Sequence, residues 1–594
     1  MKKLLQTLIC LTSTGLALQL QAQTYTYNGT AAGPTTWSSG TSWNAVPVSG
    51  NSTSLVFGTT AQSLVNNVTT TQDIASPPFL LNSLTLGYNG GDTTERSVII
   101  QTGAMSFVSN GGTTPTIALN GGNSTAGTAR PLLVFNNAVN FGSNITIGGN
   151  SSVNFNGAAN SLTNTGGAVV TKTGIGTMRI VSTNAGYTGN FNVTGGLLQV
   201  GNNGLTGDAG SGTVSLSGGG AFTVRRAGNS TLTLNNTVTG TGAVTFQLGN
   251  NGTQTTQVTI NKSNTYIGST TMAATGNATT GGVGIVNLGV NDGLSTSSVL
   301  TINNVGPSVQ TFNLAGFNQT LGGLATQAGG SATNSKVTLG SGNLTVNDGG
   351  NRTFAGEISG AGNVVKQGAG TWTLSSANTY NGTTTISGGT LLLSGGGSIA
   401  NSSVITVGPS ANLNVAAVSG FAIGTGQTLK GNGTVIGNTT INGNLQPGNS
   451  PGVLTMNGSL TLNSTATTTM EINGTTRGTD YDGIDLVGPN ALTYGGILTL
   501  SFGTTFGVGN YTFDLFSFSS TPTGSFANVT LAGNYTGSLT NNSGVWSLTS
   551  GNNTWTFTQS TGDLGLSVIP EPTTSLMLAG SLTALVVFRR RRVH

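Results

Sequence analysis

The sequence predicts an all-β chain built as a stack of repeating turns, with a β cap at each end and a short hydrophobic helix at the C-terminus. Three observations lead there. First, 96 of the 594 residues are glycine and only 5% are charged, against roughly 25% charged in ordinary soluble domains. Second, Thr, Ser and Asn supply uncharged polarity and alternate with Val, Ile and Leu in short segments broken by Gly-Gly, Asn-Gly and Ser-Gly pairs, which is the pattern of strands and turns. Third, long segments recur along the chain, the mark of a repeat architecture. A chain rich in Gly, Ser and Thr can instead be disordered. Here 35% hydrophobic residues at strand spacing leave enough apolar surface to bury.

Residues 1–22 read as a secretory signal, with Lys2 and Lys3 as the charged region, an apolar stretch within Leu4 to Leu20, and Ala22 before the expected cut. The single cysteine, Cys10, follows the bulky Ile9 and only a few apolar residues, which argues against lipidation. The mature chain then has no cysteine, so disulfides cannot hold it and stability must come from strand pairing and burial. Residues 23–105 read as an N-terminal β cap, because Trp37, Trp43 and Leu55-Val56-Phe57 can protect the terminal strands from edge pairing.

Residues 106–472 carry the repeats. The segment Lys172 to Val200 matches Lys366 to Leu393 with one inserted residue, and a partial copy runs from Val258 to Met272. Aligned on Asn-Thr-Tyr, Met178 and Ile180 coincide with Trp372 and Leu374 and with Val258 and Ile260, and Phe191 and Val193 coincide with Thr384 and Ile386. Strand alternation puts these positions on one inward face and Thr and Ser on the other. One turn cannot bury such a face alone. Stacked turns can, with each buried Val, Ile or Leu worth roughly 1.5–3 kcal/mol and Asn or Thr ladders lining the rungs. Residues 473–566 read as a C-terminal β cap or small sandwich, richer in aromatics, as in Tyr511-Thr512-Phe513-Asp514-Leu515-Phe516-Ser517-Phe518.

The tail, residues 567–594, has three parts in order: Pro570-Glu571-Pro572, an apolar stretch from Leu576 to Phe588, and the run Arg589, Arg590, Arg591 and Arg592. The apolar stretch is shorter than the roughly 20 residues a bilayer requires, although Thr573 to Phe588 could cross with thinning or snorkelling arginines. The arginines would stay on the cytoplasmic side. These residues resemble the PEP-CTERM sorting signal of Gram-negative bacteria. The resemblance implies recognition by an exosortase-type processing enzyme of the inner membrane, with cutting near Pro570-Glu571-Pro572. The plain alternative is an ordinary tail anchor.

The repeats in turn resemble the autotransporter-associated β-strand repeat. Its hallmark here is Gly370-Thr371-Trp372-Thr373-Leu374, then Asn378-Thr379-Tyr380-Asn381-Gly382, then Ser387-Gly388-Gly389-Thr390-Leu391. Gly431 to Leu462, with Gly448-Asn449-Ser450-Pro451-Gly452 at its centre, looks like the segment that commonly follows such repeats. The resemblance implies a right-handed parallel β-helix through much of 106–472. An autotransporter ends in a membrane barrel with an aromatic terminus, whereas this sequence ends in Phe588, four arginines, Val593 and His594. Self-export by that route is therefore not expected.

Charge and side-chain chemistry narrow the function. Six of the 18 basic residues lie in the leader and the tail, leaving 12 against 14 acids, so no basic footprint for nucleic acid exists. The only histidine is His594, which leaves no Ser-His-Asp or Cys-His constellation and no His- or Cys-ligated zinc. The string Gly448-Asn449-Ser450-Pro451-Gly452 matches a nucleophile elbow, but Pro451 lacks the N–H that an oxyanion hole would use, so a tight turn is expected. Glycine is nowhere followed by lysine, which rules out a Walker-type phosphate loop. Asp480, Asp482 and Asp485, with Glu471 upstream, form the one acidic cluster. It is a weak calcium candidate beside the reading of a solvated loop. No catalytic residue and no cofactor is expected. The expected protein is a non-enzymatic structural or adhesin-like component of a cell surface or extracellular matrix, exported through the secretion translocon, held transiently in the inner membrane and able to contact extracellular polysaccharide. Two alternatives stay open: a carbohydrate-binding surface protein, with exposed aromatics such as Trp37 and Trp43, and a β-helical polysaccharide lyase or hydrolase, with Arg477 near converging carboxylates.

Overall fold

A computed structural model describes residues 23–570 apart from 28–34, 41, 59–66, 75–77, 88–95, 121–130, 250–251, 276–280, 304–305 and 330–331. The expected leader, Glu571, Pro572, the apolar tail stretch and Arg589 to Arg592 lie outside the described residues. Among those described, the secondary structure is β-strand with one 3₁₀ turn at Ala332–Asn334. The all-β reading holds, and the parallel sheets agree with a β-helix. The chain divides into two units, Met1–Gly284 and Ile285–His594.

In the first unit nine strands, from Gln23–Tyr27 to Val238–Gly240, stack side by side in chain order. All their pairings are parallel. Between one strand of this sheet and the next the chain visits other sheets, so each coil adds one strand to each side. Registers align residue on residue: Tyr25, Leu55, Leu84, Ile117 and Ile147 form one column, and every member is buried. Alternate residues face outward, in the column Thr24, Ser54, Ser83, Thr116, Thr146, Thr171, Asn192, Ser215 and Thr239. Period-2 alternation along each strand thus becomes an apolar interior and a hydroxyl-rich exterior. The first strands close over an aromatic cluster in which Trp43 lies 5.3 Å from Tyr27, 5.2 Å from Phe57 and 5.8 Å from Trp37.

The second unit repeats this logic. From Ala422–Ile423 onward the chain visits three sheets in rotation: Thr428–Gly431, Thr434–Ile436, Thr439–Ile441, then Asn444–Pro447, Val453–Asn457, Leu460–Leu462, and so on. Coil length is uneven. Partners on adjacent coils are 20 residues apart at Thr371 and Asn351 and 16 apart at Asn444 and Thr428. Parallel pairing continues to Asn528–Gly533. The chain then turns antiparallel through Gly537–Asn542, Val545–Ser550, Asn553–Thr558 and Asp563–Val568, with Gly509–Asp514 at the far edge. The inward positions named from the repeats are buried throughout: Ile180, Ile260, Trp372 and Leu374 are each 0% exposed.

Many glycines mark coil corners because neighbouring backbones meet there. A Cβ on Gly176 would lie 1.8 Å from the carbonyl oxygen of Ser151, and one on Gly370 would lie 2.0 Å from that of Gly350. Neither position admits a side chain.

Candidate functional site

The repeat unit is the feature this chain builds most deliberately, and its polar side chains explain why. Lys172 stands between Ile147 and Val193 in an inward column, and Lys366 stands between Val346 and Ile386. Alternation turns both lysines into the interior, where their exposures are 1% and 0%. Each stem lies along the core and each ammonium reaches the coil corner. Lys366 Nζ donates to the carbonyls of Gln367 (2.6 Å), Gly368 (2.8 Å) and, on the next coil, Gly388 (3.2 Å). Lys172 Nζ does the same with Thr173, Gly174 (3.0 Å) and Gly195 (3.4 Å). Burial pushes the Lys172 amine down to about 8 and lowers Lys366, with the charge of Asp348 opposing that shift. Sequence reasoning missed these residues, since a lysine normally marks a solvent face. The signal was the pair of strings Lys172-Thr173-Gly174 and Lys366-Gln367-Gly368, one lysine at the start of each repeat.

The asparagine of the Asn-Thr-Tyr string clamps the opposite corner. Asn378 Oδ1 accepts from the Ile358 amide at 2.9 Å, while Nδ2 donates to Ser376 at 3.1 Å and to Ser398 at 3.0 Å. One buried amide thus joins its own coil to both neighbours, beside the backbone bonds of Asn378 to Ser398 and of Thr379 to Ile358. Asn184 repeats the arrangement with Leu162 (2.9 Å), Ser182 (3.0 Å) and Asp208 (3.3 Å). Asn264 accepts from Val238 at 2.6 Å and donates to Lys262 at 3.0 Å. The tyrosines of the motif are buried as well. Tyr266 pairs with Thr270 and Tyr380 with Thr384, both at 2.6 Å. Tyr187 instead meets Phe191, ring centroids 5.2 Å apart, and its hydroxyl has no hydrogen-bond partner.

The acidic cluster does not converge. Asp480 accepts from the Thr476 amide at 3.0 Å, a bond that holds its carboxyl below the usual value. Asp485 pairs with Arg477 at 2.7 Å, and Arg477 also donates to the Asp514 carbonyl at 2.8 Å. Asp482 is 1% exposed and accepts the amides of Gly452 and Glu471, both at 2.8 Å. Burial, with the charge of Glu471 adding, pushes Asp482 up to about 7 against those two N–H donors. Among the described residues, no group of three or more His, Cys, Asp or Glu is placed to hold a metal ion. The Gly448 to Gly452 string is a turn fixed by Gly448 and Gly431, which exchange both backbone hydrogen bonds. Its Gly448, Asn449 and Ser450 line, with Lys430, Glu471 and Asp482, a pocket of about 150 Å³. All five tryptophans are buried, so Trp37 and Trp43 belong to the interior. Of the sorting residues, Pro570 is the last described, one residue after Ile569, whose amide bonds to Asn552 at 2.9 Å.

Comparison with known proteins locates the same repeats. Residues 170–200 and 364–393 match the passenger-associated-transport-repeat family, and these are the segments that hold Lys172 with Asn184 and Lys366 with Asn378. Over 219 residues the chain is 33% identical to the adhesin BmaC autotransporter of Brucella suis biovar 1 (strain 1330), a stretch that covers 36% of this chain and 6% of that protein. The clamped corners at Lys172 and Lys366 thus lie within the two segments that match the passenger-associated-transport-repeat family.

Proposed function

We propose that this chain is a non-enzymatic, exported surface protein of a Gram-negative bacterium, adhesin-like, whose stacked coils present an uncharged polar surface to the extracellular matrix. The observation that carries the reading is the repeat: coils clamped by Lys172, Asn184, Lys366 and Asn378 match passenger repeats, and a relative 33% identical over 219 residues is an adhesin by name. Polar side chains that elsewhere serve chemistry are spent here on backbone groups. The outward hydroxyl columns support contact with extracellular polysaccharide, which can exchange hydrogen bonds with a neutral hydroxyl array. Carboxylates that a lyase would bring together go to separate partners at Asp480, Asp482 and Asp485.

The export route in this reading runs through the secretion translocon, a transient stop in the inner membrane, and cutting by an exosortase-type enzyme near Pro570-Glu571-Pro572. Cell fractionation tests it. Replacing that triplet by alanines should leave full-length chain in the inner membrane, while wild-type chain reaches the surface without Arg589 to Arg592. An intact C-terminus on surface material, read by mass spectrometry, would show a permanent anchor instead. A glycan array probed with the surface form tests the polysaccharide contact, and binding of no glycan would remove it.

A further inference from the structure

Residues 332–570 are described without interruption, and within them three neighbouring coils build the pocket beside the Gly448 turn. Lys430 and Gln446 are register partners on the strands Thr428–Gly431 and Asn444–Pro447. Leu445 pairs with Thr468, which puts Thr469 next in the same outward column, and Glu471 follows two residues on, on the same face. Asn449 and Ser450 of the turn complete the lining with Asp482. The turn is pinned in place, because the two oxygens of Asp482 join the Gly452 amide to the Glu471 amide, both at 2.8 Å. Gly448 has a φ of +84°, and a Cβ there would lie 2.7 Å from Asp482 Oδ1, so this position admits no side chain.

Elsewhere polar side chains bond from coil to coil, as Asn363 does to Asn343 at 2.8 Å and Thr383 to Asn363 at 3.0 Å. In this pocket they do not. Among the described residues the side chains of Lys430, Gln446, Asn449, Ser450, Thr469 and Glu471 make no hydrogen bond and no ion pair, and Glu471 Oε2 is buried without a partner. Rotation about its terminal torsion lets the Glu471 carboxylate offer either oxygen to the pocket. A charged acceptor left in that state costs free energy that a bound donor would offset.

The lining also selects the ligand. Two carboxyls and one ammonium oppose an anion. A metal ion needs several oxygens at once, but Asp482 gives both of its own to amides, and among the described residues no group of three or more His, Cys, Asp or Glu is placed to hold one. What fits is a neutral molecule that donates to Glu471 while accepting from Lys430, Gln446 and Asn449, and adjacent hydroxyls do both. The volume, about 150 Å³, is that of a cavity holding one six-membered ring. We infer that this pocket binds one pyranose residue of a neutral glycan, with Glu471 as its principal acceptor. The inference rests on the reading that the chain meets extracellular polysaccharide, and it gives that contact one fixed seat in place of the long hydroxyl columns.

Ligand-observed NMR titration of the full chain tests it, with neutral oligosaccharides of glucose, galactose and mannose as probes and glucosamine, glucose 6-phosphate and glycine as charged comparators. Wild type should bind a neutral oligosaccharide at one site. Glu471→Gln removes the acceptor without breaking a protein hydrogen bond, and should weaken that binding about tenfold. Thr469→Trp fills the pocket from its floor and should abolish binding, while Thr146→Val, in an outward column of the first unit, should leave it unchanged. If circular dichroism shows that Thr469→Trp does not fold, Lys430→Met takes its place, with the loss expected of Glu471→Gln. Equal affinity in wild type, Glu471→Gln and the folded second variant would overturn the inference and leave the polysaccharide contact standing, carried by the hydroxyl columns. Binding of the charged comparators alone would overturn it too, since the site would then select charge. A wild type that binds no neutral probe also overturns it, and if that chain binds no glycan on an array the underlying reading falls with it.

Discussion

At the residue scale, the two tyrosines of the matched repeats form a natural experiment. Tyr380 gives its hydroxyl to Thr384 at 2.6 Å, whereas Tyr187 has Phe191 at the equivalent position and an unpartnered hydroxyl. A buried hydrogen bond is worth about 0.5–1.5 kcal/mol, and a buried hydroxyl without one costs desolvation. Tyr380→Phe should therefore destabilise by about 1 kcal/mol, and Tyr187→Phe should be neutral or stabilising. Urea unfolding of the two variants measures the difference, and an equal loss in both would show that the hydroxyls do not matter. Asn378 carries more. Its removal in Asn378→Ala leaves the Ile358 amide without its acceptor in a buried corner, at a cost of about 1–3 kcal/mol, while the Ser398 carbonyl loses one donor and keeps the Asn378 backbone amide. The sequence announced Asn378 and Tyr380 as a recurring string but not what they do. A recurring Asn can equally be a turn residue, and only the coil spacing shows that its amide touches three coils.

Element by element, the inward face was legible because a strand has a period of two and admits no intermediate choice. Ile180, Ile260 and Leu374 follow from that alone. Leu374 lies between Phe354 and Leu393 on adjacent coils, so Leu374→Asp places an unpaired charge in the core and should lower the melting temperature sharply. An unchanged melting curve would contradict the inward assignment. Lys172 and Lys366 broke the same rule, since hydropathy places a lysine outward and the carbonyls that receive it belong partly to the next coil. The acids were illegible for a related reason. Asp480, Asp482 and Asp485 are neighbours in sequence, but Asp480 sits in a turn, Asp482 just before the strand Gly483–Leu486 and Asp485 within it, and the partners of Asp482 come from Gly452 and Glu471. Its ionisation gives a pH test. The Asp482 carboxyl is raised from 3.8 to about 7 on folding, so between those values the folded chain holds a proton that the unfolded chain has released. Stability contributed by that proton is full below about pH 4 and is lost as pH rises through about 7, at up to about 1.4 kcal/mol per pH unit. Asp482→Asn should flatten this slope in unfolding free energy even though it sacrifices one of the two amide bonds. An unchanged slope would locate the titration elsewhere.

For the molecule as a whole, the parallel stacking was legible from recurrence, while coil lengths were not. Spacings of 16 residues at Asn444 and 34 at Asn137 depend on where loops leave the stack, and no periodicity records that. In such an array each coil touches mainly its neighbours, and its ends need closure of their own. In the second unit that closure is the antiparallel sheet, and its geometry fixes what can be removed. Asp563–Val568 pairs with Asn553–Thr558 on one side and Gly509–Asp514 on the other, and Leu564 and Leu566 are buried at 0% and 1% exposure. The proposed processing point at Pro570 lies just beyond this strand, so cutting there would spare every strand of the sheet. A chain ending at Ile569 should therefore melt like the full chain. One ending at Gly562 should lose the closure: two strands forfeit their shared partner, two buried leucines leave the core at about 2–5 kcal/mol each, and the sheet around Trp546 and Trp555 opens. Tryptophan emission read during thermal unfolding distinguishes the two, with a red-shifted, early transition expected only for the shorter chain. Identical curves for both truncations would mean that this strand does not close the stack, and that the folded chain places no lower limit on where its tail is cut.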